Sequence, residues 1–204
     1  MTGVDAVDSD LWVFGYGSLI FRPDFPFIAR REGFITGWSR RFWQASHDHR
    51  GTPESPGRVA TIIASPGSRC WGVAYRVAPE ERANVLAYLD DRECGGYERR
   101  FLAFHSPGEE TVSSVLVYIA AHDNPNYCGP EEIAASAARV RAACGLRGPN
   151  SEYVLQLAAA LTHMGADDPH VFELAAALAE ATGTSIETAT HVLAAVAEAA
   201  SSPG

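Results

Sequence analysis

The chain has 204 residues, of which 47% are hydrophobic and 20% are charged, a composition that argues for one folded domain and against disorder. Its formal net charge of −9 argues against a broad nucleic-acid-binding surface, which needs clustered cations. All 16 basic residues are arginines, and the absence of lysine excludes Schiff-base lysine chemistry and a Walker-type phosphate loop.

The cysteines and the first residues indicate the compartment. The four cysteines are far apart along the chain, with no CxxC pair. Residues 1–10 carry three aspartates and no basic residue, unlike a signal or transit peptide, and we expect a flexible leader there. No run of about 18 apolar residues is present to span a membrane. We predict a soluble cytoplasmic protein with free thiols, a monomer or homodimer with no membrane or nucleic-acid partner.

The first half of the chain is predicted to consist mainly of β-strands. A helix is predicted after the fourth strand, because Pro79 suits a first helical turn and Gly95 and Gly96 suit a helix end. The glycine- and proline-rich segment 47–57 is predicted to be a loop. Runs of β-branched and aromatic residues indicate strands over 11–16, 34–43, 58–64, 70–77, 97–104 and 111–121.

Alanine-rich helices are predicted after about residue 128. Asn150 is a predicted N-cap, and Thr184 with Glu187 has the spacing of a capping box. Because strands come first and helices later, the pattern predicts an α+β fold. Residues 176–204 are predicted to be an acidic, helical C-terminal extension, whose charges are either solvated helix faces or a partner-binding surface. The predicted helices cover about 130–145 and 150–165, and two more begin near 168 and 184.

The first segment with a chemical signature is Tyr16–Gly17–Ser18–Leu19, which follows the first strand. Glycine lets a ligand approach the backbone closely, and consecutive N–H groups at such a turn bind a carboxylate, a phosphate or an oxyanion. An ordinary strand-to-loop turn explains the same residues equally well. The segment lacks the third glycine of a dinucleotide fingerprint and the GxSxG spacing of a hydrolase elbow.

The second candidate is Glu93, at the predicted end of a helix. The partial negative charge of the last helical carbonyls, together with burial, raises the pKa of a carboxyl there, which suits a general base. The alternative is a surface ion pair between Glu93 and Arg92. Cys94 is a weaker candidate nucleophile, because the neighbouring glutamate opposes thiolate formation.

Other polar residues leave several interpretations open. His47, Asp48 and His49 have ligand types that suit zinc or iron, but no second histidine motif accompanies them. Arg50 and Arg58 flank the predicted loop and either bind a substrate carboxylate or brace the loop. The hydroxyls of two tyrosines in turn-rich segments are further candidates for ligand contact, Tyr127 and Tyr153.

Together and in this order, these segments resemble the ChaC-like γ-glutamylcyclotransferases, which act on glutathione. The resemblance covers about residues 11–175, which we take as the domain. It implies a small mixed β-barrel surrounded by helices, with extra C-terminal helices, and neither a metal nor an organic cofactor. The segments that carry it include WVFGYGSLIFRPDF (12–25), GWSRRFWQASHDHRGTPESPGRV (37–59), YLDDRECGGYERR (88–100) and GPNSEYVLQLA (148–158).

The resemblance also implies roles for individual residues. The YGSL motif of the family matches Tyr16, Gly17, Ser18 and Leu19, which would hold the γ-glutamyl group. The catalytic glutamate, just before paired glycines, matches Glu93. Two further matches at positions expected near the substrate are Arg58 and Tyr127.

The reaction implied by the resemblance is intramolecular. The α-amine of the γ-glutamyl group attacks its own γ-carbonyl, which releases 5-oxoproline and, from glutathione, Cys-Gly. Such a reaction needs orientation and a proton acceptor rather than a protein nucleophile. The alternatives are another γ-glutamyl amine as substrate, a non-catalytic module that binds γ-glutamyl ligands, and a metal hydrolase built on residues 47–49.

Overall fold

A closed five-stranded β-barrel forms the centre of the computed structural model, which describes residues 11–93, 96–121 and 123–182. The strand order is β1-β3-β2-β4-β5. The barrel closes where β1 runs parallel to β5, and the other neighbouring strands are antiparallel. The strands are β1 (Leu11–Gly15), β2 (Ala29–Ser46), β3 (Gly57–Val77), β4 (Tyr97–His105) and β5 (Val112–Ala120).

The long hairpin of β2 and β3 makes up most of the barrel wall. The predicted strand 34–43 lies within β2, whereas 58–64 and 70–77 are two parts of the single strand β3. The hairpin bends at two register shifts, one between Thr36 and Trp38 and one between Arg41 and Gln44, as β-bulges cause a strand pair to do. Its connection matches the loop predicted over 47–57.

The barrel core follows from the alternation of apolar residues along the strands. Burying a large apolar side chain stabilises a fold by about 1.5–3 kcal/mol relative to leaving it exposed. Side chains with no exposed surface come from every strand of the barrel, for example Val13, Phe42, Val73, Phe104 and Leu116.

Within the described residues, four helices surround the barrel, which confirms the predicted α+β class and mixed barrel. They are α1 (Arg82–Arg92), α2 (Ile133–Ala142), α3 (Asn150–His163) and α4 (Pro169–Thr182). The first is preceded by a 3-10 turn over Pro79–Glu81, and a short strand pair, β6 (Cys144–Gly145) and β7 (Gly148–Pro149), links α2 to α3. Among the described helices, none is both long and apolar enough to cross a membrane.

The predicted N-cap role of Asn150 is wrong. Asn150 is the first residue of α3, and Pro149 occupies the cap position. The Asn150 side chain instead accepts a hydrogen bond from the backbone N–H of Arg58 (2.6 Å) and donates one to the Arg58 carbonyl (2.8 Å). This residue is fully buried and ties α3 to β3.

The predicted C-terminal boundary lies inside α4. This helix passes through residue 175 without a break, and Leu178 and Ala179 are still buried. The predicted leader (1–10), the helix expected from Thr184, and the extension beyond residue 182 lie outside the described residues and stay predictions.

Candidate active site

One cavity of about 300 Å³ opens at the end of the barrel. Four parts of the chain meet there: the turn after β1, the end of α1, the β2–β3 loop, and the start of α3. That volume is at the lower limit of small-molecule sites. Residues from these four parts, from the start of β4 and from the turn between β6 and β7 line the cavity, among them Tyr16, Gly17, Ser18, Leu19, Arg22, Asp48, His49, Arg50, Arg92, Glu93, Tyr97, Arg147 and Tyr153.

The YGSL turn is held tightly against the barrel. Ser18–Ile20 form a 3-10 turn, and a Cβ added at Gly15 would lie 2.5 Å from the Cβ of Leu19. A Cβ at Gly17 would lie 2.9 Å from the hydroxyl of Tyr153, so glycine keeps the backbone close to the cavity. The buried guanidinium of Arg40 donates to the Tyr16 carbonyl (2.7 Å). Because a peptide C=O and the following N–H point in opposite directions, this bond also fixes the N–H of Gly17.

Arg92 connects this turn to the end of α1. Its guanidinium donates to the Ser18 hydroxyl (2.7 Å) and to the Tyr88 hydroxyl (2.8 Å). It also lies 3.5 Å from a carboxylate oxygen of Asp24 and 3.7 Å from one of Glu93. Arg92 therefore sets the position of Ser18 relative to Glu93.

Glu93 is the residue directly after α1, and its backbone N–H donates to the carbonyl of Leu89 (2.9 Å). Its side chain lines the cavity and is 20% exposed. Burial raises the pKa of Glu93 above its ordinary value, and the charge of Arg92 opposes that rise. A carboxylate with a raised pKa, open to a cavity, suits proton transfer near neutral pH.

Three tyrosines surround Glu93, and we call these four residues the inner wall: Tyr16, Glu93, Tyr97 and Tyr153. Burial raises the pKa of each tyrosine, and the charge of Glu93 adds to that rise. The Tyr16 hydroxyl donates to the carbonyl of Tyr118 (2.9 Å), and the Tyr153 hydroxyl accepts from the N–H of Ala60 (3.2 Å). All three tyrosines therefore stay neutral and supply a low-dielectric surface beside the carboxylate.

The cavity is also lined by three charged residues and a histidine, which we call the outer wall: Arg22, Asp48, His49 and Arg147. These side chains are partly exposed to solvent: 33% of the Arg147 side chain is exposed, 41% of His49 and 63% of Asp48. Burial lowers the pKa of His49, and nearby arginines lower it further, against the opposing charge of Asp48. His49 is therefore neutral near pH 7.

The YGSL residues and Glu93, predicted from far apart in the sequence, lie together on the cavity wall. Arg58 and Tyr127 are not among the lining residues. The Arg58 guanidinium faces Glu131 (3.4 Å), and Tyr127 pairs with Gln44 through a backbone bridge. Their predicted contact with a substrate stays a prediction.

Arg50 braces the loop, as one of its two interpretations proposed. Its guanidinium donates to the carbonyl of Pro149 (2.9 Å), lies 3.6 Å from Glu152 and covers the ring of Tyr153. Across the described residues, no three histidine, cysteine or acidic side chains are grouped closely enough to hold a metal ion. Cys94 lies outside the described residues.

Two of the lining residues that sequence reasoning missed are Tyr97 and Gln44. Tyr97 follows the paired glycines, so its position next to the Glu93 motif was the available signal. Gln44 is buried, and its amide N–H donates to Asn124 (2.9 Å), while no donor in the described part of the chain reaches its Oε1. Nothing in the sequence distinguishes this glutamine. Its Oε1 lacks a hydrogen-bond donor only because of how the described residues pack around it.

Comparisons with known proteins agree on one family. The model of the ChaC-like protein family matches residues 11–181. The human protein named glutathione-specific γ-glutamylcyclotransferase 1 is 41% identical over 179 residues, which cover 85% of this chain and 79% of the human one. The Arabidopsis thaliana protein γ-glutamylcyclotransferase 2-3 is 42% identical, over 81% of this chain and 86% of its own. The crystal structure of the yeast cyclotransferase specific to glutathione is 30% identical with a TM-score of 0.79, over 85% of this chain and 97% of that one.

Proposed function

The chain belongs to the ChaC-like family, and from that premise we propose that it is a glutathione-specific γ-glutamylcyclotransferase with Glu93 as general acid and base. The observation that carries the proposal is the Glu93 carboxyl, with a raised pKa, on the same cavity wall as the YGSL turn. We propose that the enzyme acts in the cytoplasm, where thiols stay reduced; Cys70, Cys128 and Cys144 are free.

The protein's first task is to orient the substrate. The α-amine must reach its own γ-carbonyl carbon to close a five-membered lactam, and orientation of this kind contributes roughly 7–11 kcal/mol to catalysis. The turn at Gly17 and Ser18 supplies backbone N–H groups for the substrate, and the bond from Arg40 holds the first of them in place. These donors either stabilise the developing oxyanion or hold the α-carboxylate.

The second task is proton transfer. Ionised Glu93 takes a proton from the substrate ammonium, because only the free amine attacks. The C–N bond of the lactam forms and the amide bond to cysteine breaks. Two protons in all pass from the attacking nitrogen to the leaving nitrogen, and no water is consumed. Glu93 returns a proton to the leaving amine, and this transfer by a placed carboxyl is worth about 10²–10⁴-fold in rate.

The proposal is tested by incubating the purified protein with glutathione, γ-Glu-Ala and γ-Glu-ε-Lys separately in H₂¹⁸O. Mass spectrometry of the products identifies both the substrate and the reaction. We expect unlabelled 5-oxoproline and an equal amount of Cys-Gly from glutathione alone. ¹⁸O-labelled glutamate would show hydrolysis instead, and turnover of only another γ-glutamyl amine would change the substrate. No product from any of the three would favour a binding module.

A further inference from the structure

Arg22 is the cation of the outer wall that no carboxylate among the described residues contacts. Its backbone N–H donates to the carbonyl of Ser18 (2.8 Å), which fixes its position directly after the YGSL turn. Its side chain lines the cavity, and within residues 11–93, 96–121 and 123–182 its guanidinium has no hydrogen-bond or ion-pair partner. Such a charge at the entrance of a cavity is available to an anionic group of a ligand.

The other arginines of the cavity are already engaged. Arg147 is held by Asp24 at 2.8 Å, and Arg92 donates to Ser18. Arg50 donates to a backbone carbonyl and lies near Glu152. The charge of Arg22 contributes to a lowered pKa of Arg50, after burial and against Glu152, so the two guanidinium groups lie close enough to repel each other. The chain has 25 acidic residues. In the described part of the chain, none of them pairs with the guanidinium of Arg22, so its positive charge remains available to a ligand.

The proposed substrate carries a carboxylate at the end remote from the reacting atoms. Glutathione carries one carboxylate on the γ-glutamyl group, beside the reacting amine, and a second on the glycine. When Glu93 and the YGSL turn hold the γ-glutamyl group, the Cys-Gly part extends outward by about 7 Å, the span of two extended residues. A planar guanidinium binds a carboxylate through two parallel hydrogen bonds.

We propose that Arg22 binds the glycine carboxylate of glutathione and so makes the site prefer this tripeptide to γ-glutamyl compounds without that group. This inference rests on the proposed function and assigns the residue that binds the glycine end of the substrate. Arg22 is a binding residue remote from the reacting atoms, so its contribution is the same in the ground state and in the transition state.

The test compares glutathione with glutathione ethyl ester, whose glycine carboxylate is blocked, for the wild type, Arg22→Gln and Arg22→Lys. With glutathione, we expect Arg22→Gln to raise KM by about 10- to 100-fold with kcat nearly unchanged. Arg22→Lys should recover part of this loss, because it keeps the charge but not the planar fork. With the ester, the wild type should already be weakened and Arg22→Gln should weaken it no further.

A matched control is Arg100→Gln, because Arg100 is exposed, pairs with Glu98 (3.2 Å) and lies away from the cavity. It should leave KM unchanged for both substrates. If Arg22→Gln raises KM equally for glutathione and for the ester, the assignment is wrong, because Arg22 then serves the other carboxylate or the fold. A KM for glutathione that is unchanged in Arg22→Gln would also overturn the assignment. If the wild type makes no 5-oxoproline from either compound, the proposed function itself fails, which is a different result.

Discussion

The inner and outer walls of the cavity differ in how they treat charge. The inner wall surrounds one carboxyl group with three tyrosines whose hydroxyls stay neutral, and burial there raises the pKa of Glu93. The outer wall has two arginines, and one guanidinium, that of Arg22, has no partner among the described residues. The same fold thus disfavours ionisation at one end of the cavity and attracts anions at the other.

In the mechanism we propose, proton transfer and substrate selection therefore use separate residues. A carboxyl that must both accept and return a proton needs a pKa near the working pH, which burial supplies. A site that selects a carboxylate needs a permanent charge, which arginine supplies. Arg92 links the two walls, because it lies 3.7 Å from Glu93 and shares the carboxylate of Asp24 with Arg147.

The largest effect is expected from Glu93→Gln, which removes the ionisable carboxyl group of the inner wall. We expect turnover of glutathione to fall by about 10²–10⁴-fold, because glutamine keeps the shape but cannot carry a proton. KM should change little, since the YGSL turn and Arg22 remain. Steady-state kinetics measures both constants. Near-wild-type turnover in the variant would show that another group transfers the proton.

The support behind the inner wall is tested by Asn150→Ala. This change leaves the N–H and C=O of Arg58 buried without the partners that Asn150 supplies, at a cost of about 2–4 kcal/mol in the free energy of unfolding. Urea unfolding measures the loss. Asn84→Ala is the matched control, because Asn84 is exposed and bonds only Glu81 in its surroundings. An equal, small effect of both changes would mean that α3 is not anchored by Asn150.

The link between the walls is tested by Arg92→Gln. The charge of Arg92 holds the pKa of Glu93 lower than burial alone would set it, so removing the charge should raise that pKa further. Because Glu93 must be ionised to accept a proton, the acid side of the pH profile of kcat/KM should move to higher pH. If the acid side of the kcat/KM profile stays in place or moves to lower pH, the charge of Arg92 does not lower the pKa of Glu93. This conclusion holds whatever happens to the maximal rate.

Stability should respond to Glu93 in the opposite sense to activity. The raised pKa means that the folded state disfavours the ionised form, so stability is full below the unfolded-state pKa and declines as pH rises through the folded-state value. Glu93→Gln should therefore have a higher Tm than the wild type at pH 7 and the same Tm near pH 4. A lower Tm at pH 7 would mean that the carboxylate stabilises the fold.

The smallest effect is expected outside the cavity. Arg100 and Glu98 form an exposed ion pair, with more than half of each side chain in solvent. Arg100→Gln should change the free energy of unfolding by less than about 0.5 kcal/mol and leave kcat unchanged. A larger change in the free energy of unfolding would show that the ion pair stabilises the fold. A change in kcat would show that the charge of Arg100 on β4 affects the residues of the cavity.

The sequence predicted the local features of the fold well. Runs of β-branched and aromatic residues indicated every strand of the barrel, and Pro79 and the paired glycines bracketed α1. What it could not predict depends on long-range packing. The merging of 58–64 and 70–77 into β3 needs the pairing with β2, and Asn150 looked like a helix cap because its partner, Arg58, is 92 residues away.

The site was predictable to the extent that its residues form motifs. The YGSL turn and Glu93 stand out as short patterns, and the structure brings them to one cavity. The outer wall could not be predicted in the same way, because Arg22 and Arg147 come from distant segments, and only the fold shows that Asp24 pairs with Arg147 while Arg22 has no partner in the described part of the chain. Arg58, by contrast, matched a motif, but its side chain faces Glu131.

Burial beside the tyrosines is expected to raise the pKa of Glu93. Titration of that carboxyl group measures this pKa directly. In protein labelled with ¹³C at the glutamate side-chain carboxyls, the signal present in the wild type and absent in Glu93→Gln belongs to this residue. We predict a titration midpoint above the ordinary glutamate value of 4.5. A midpoint at or below that value would contradict the account.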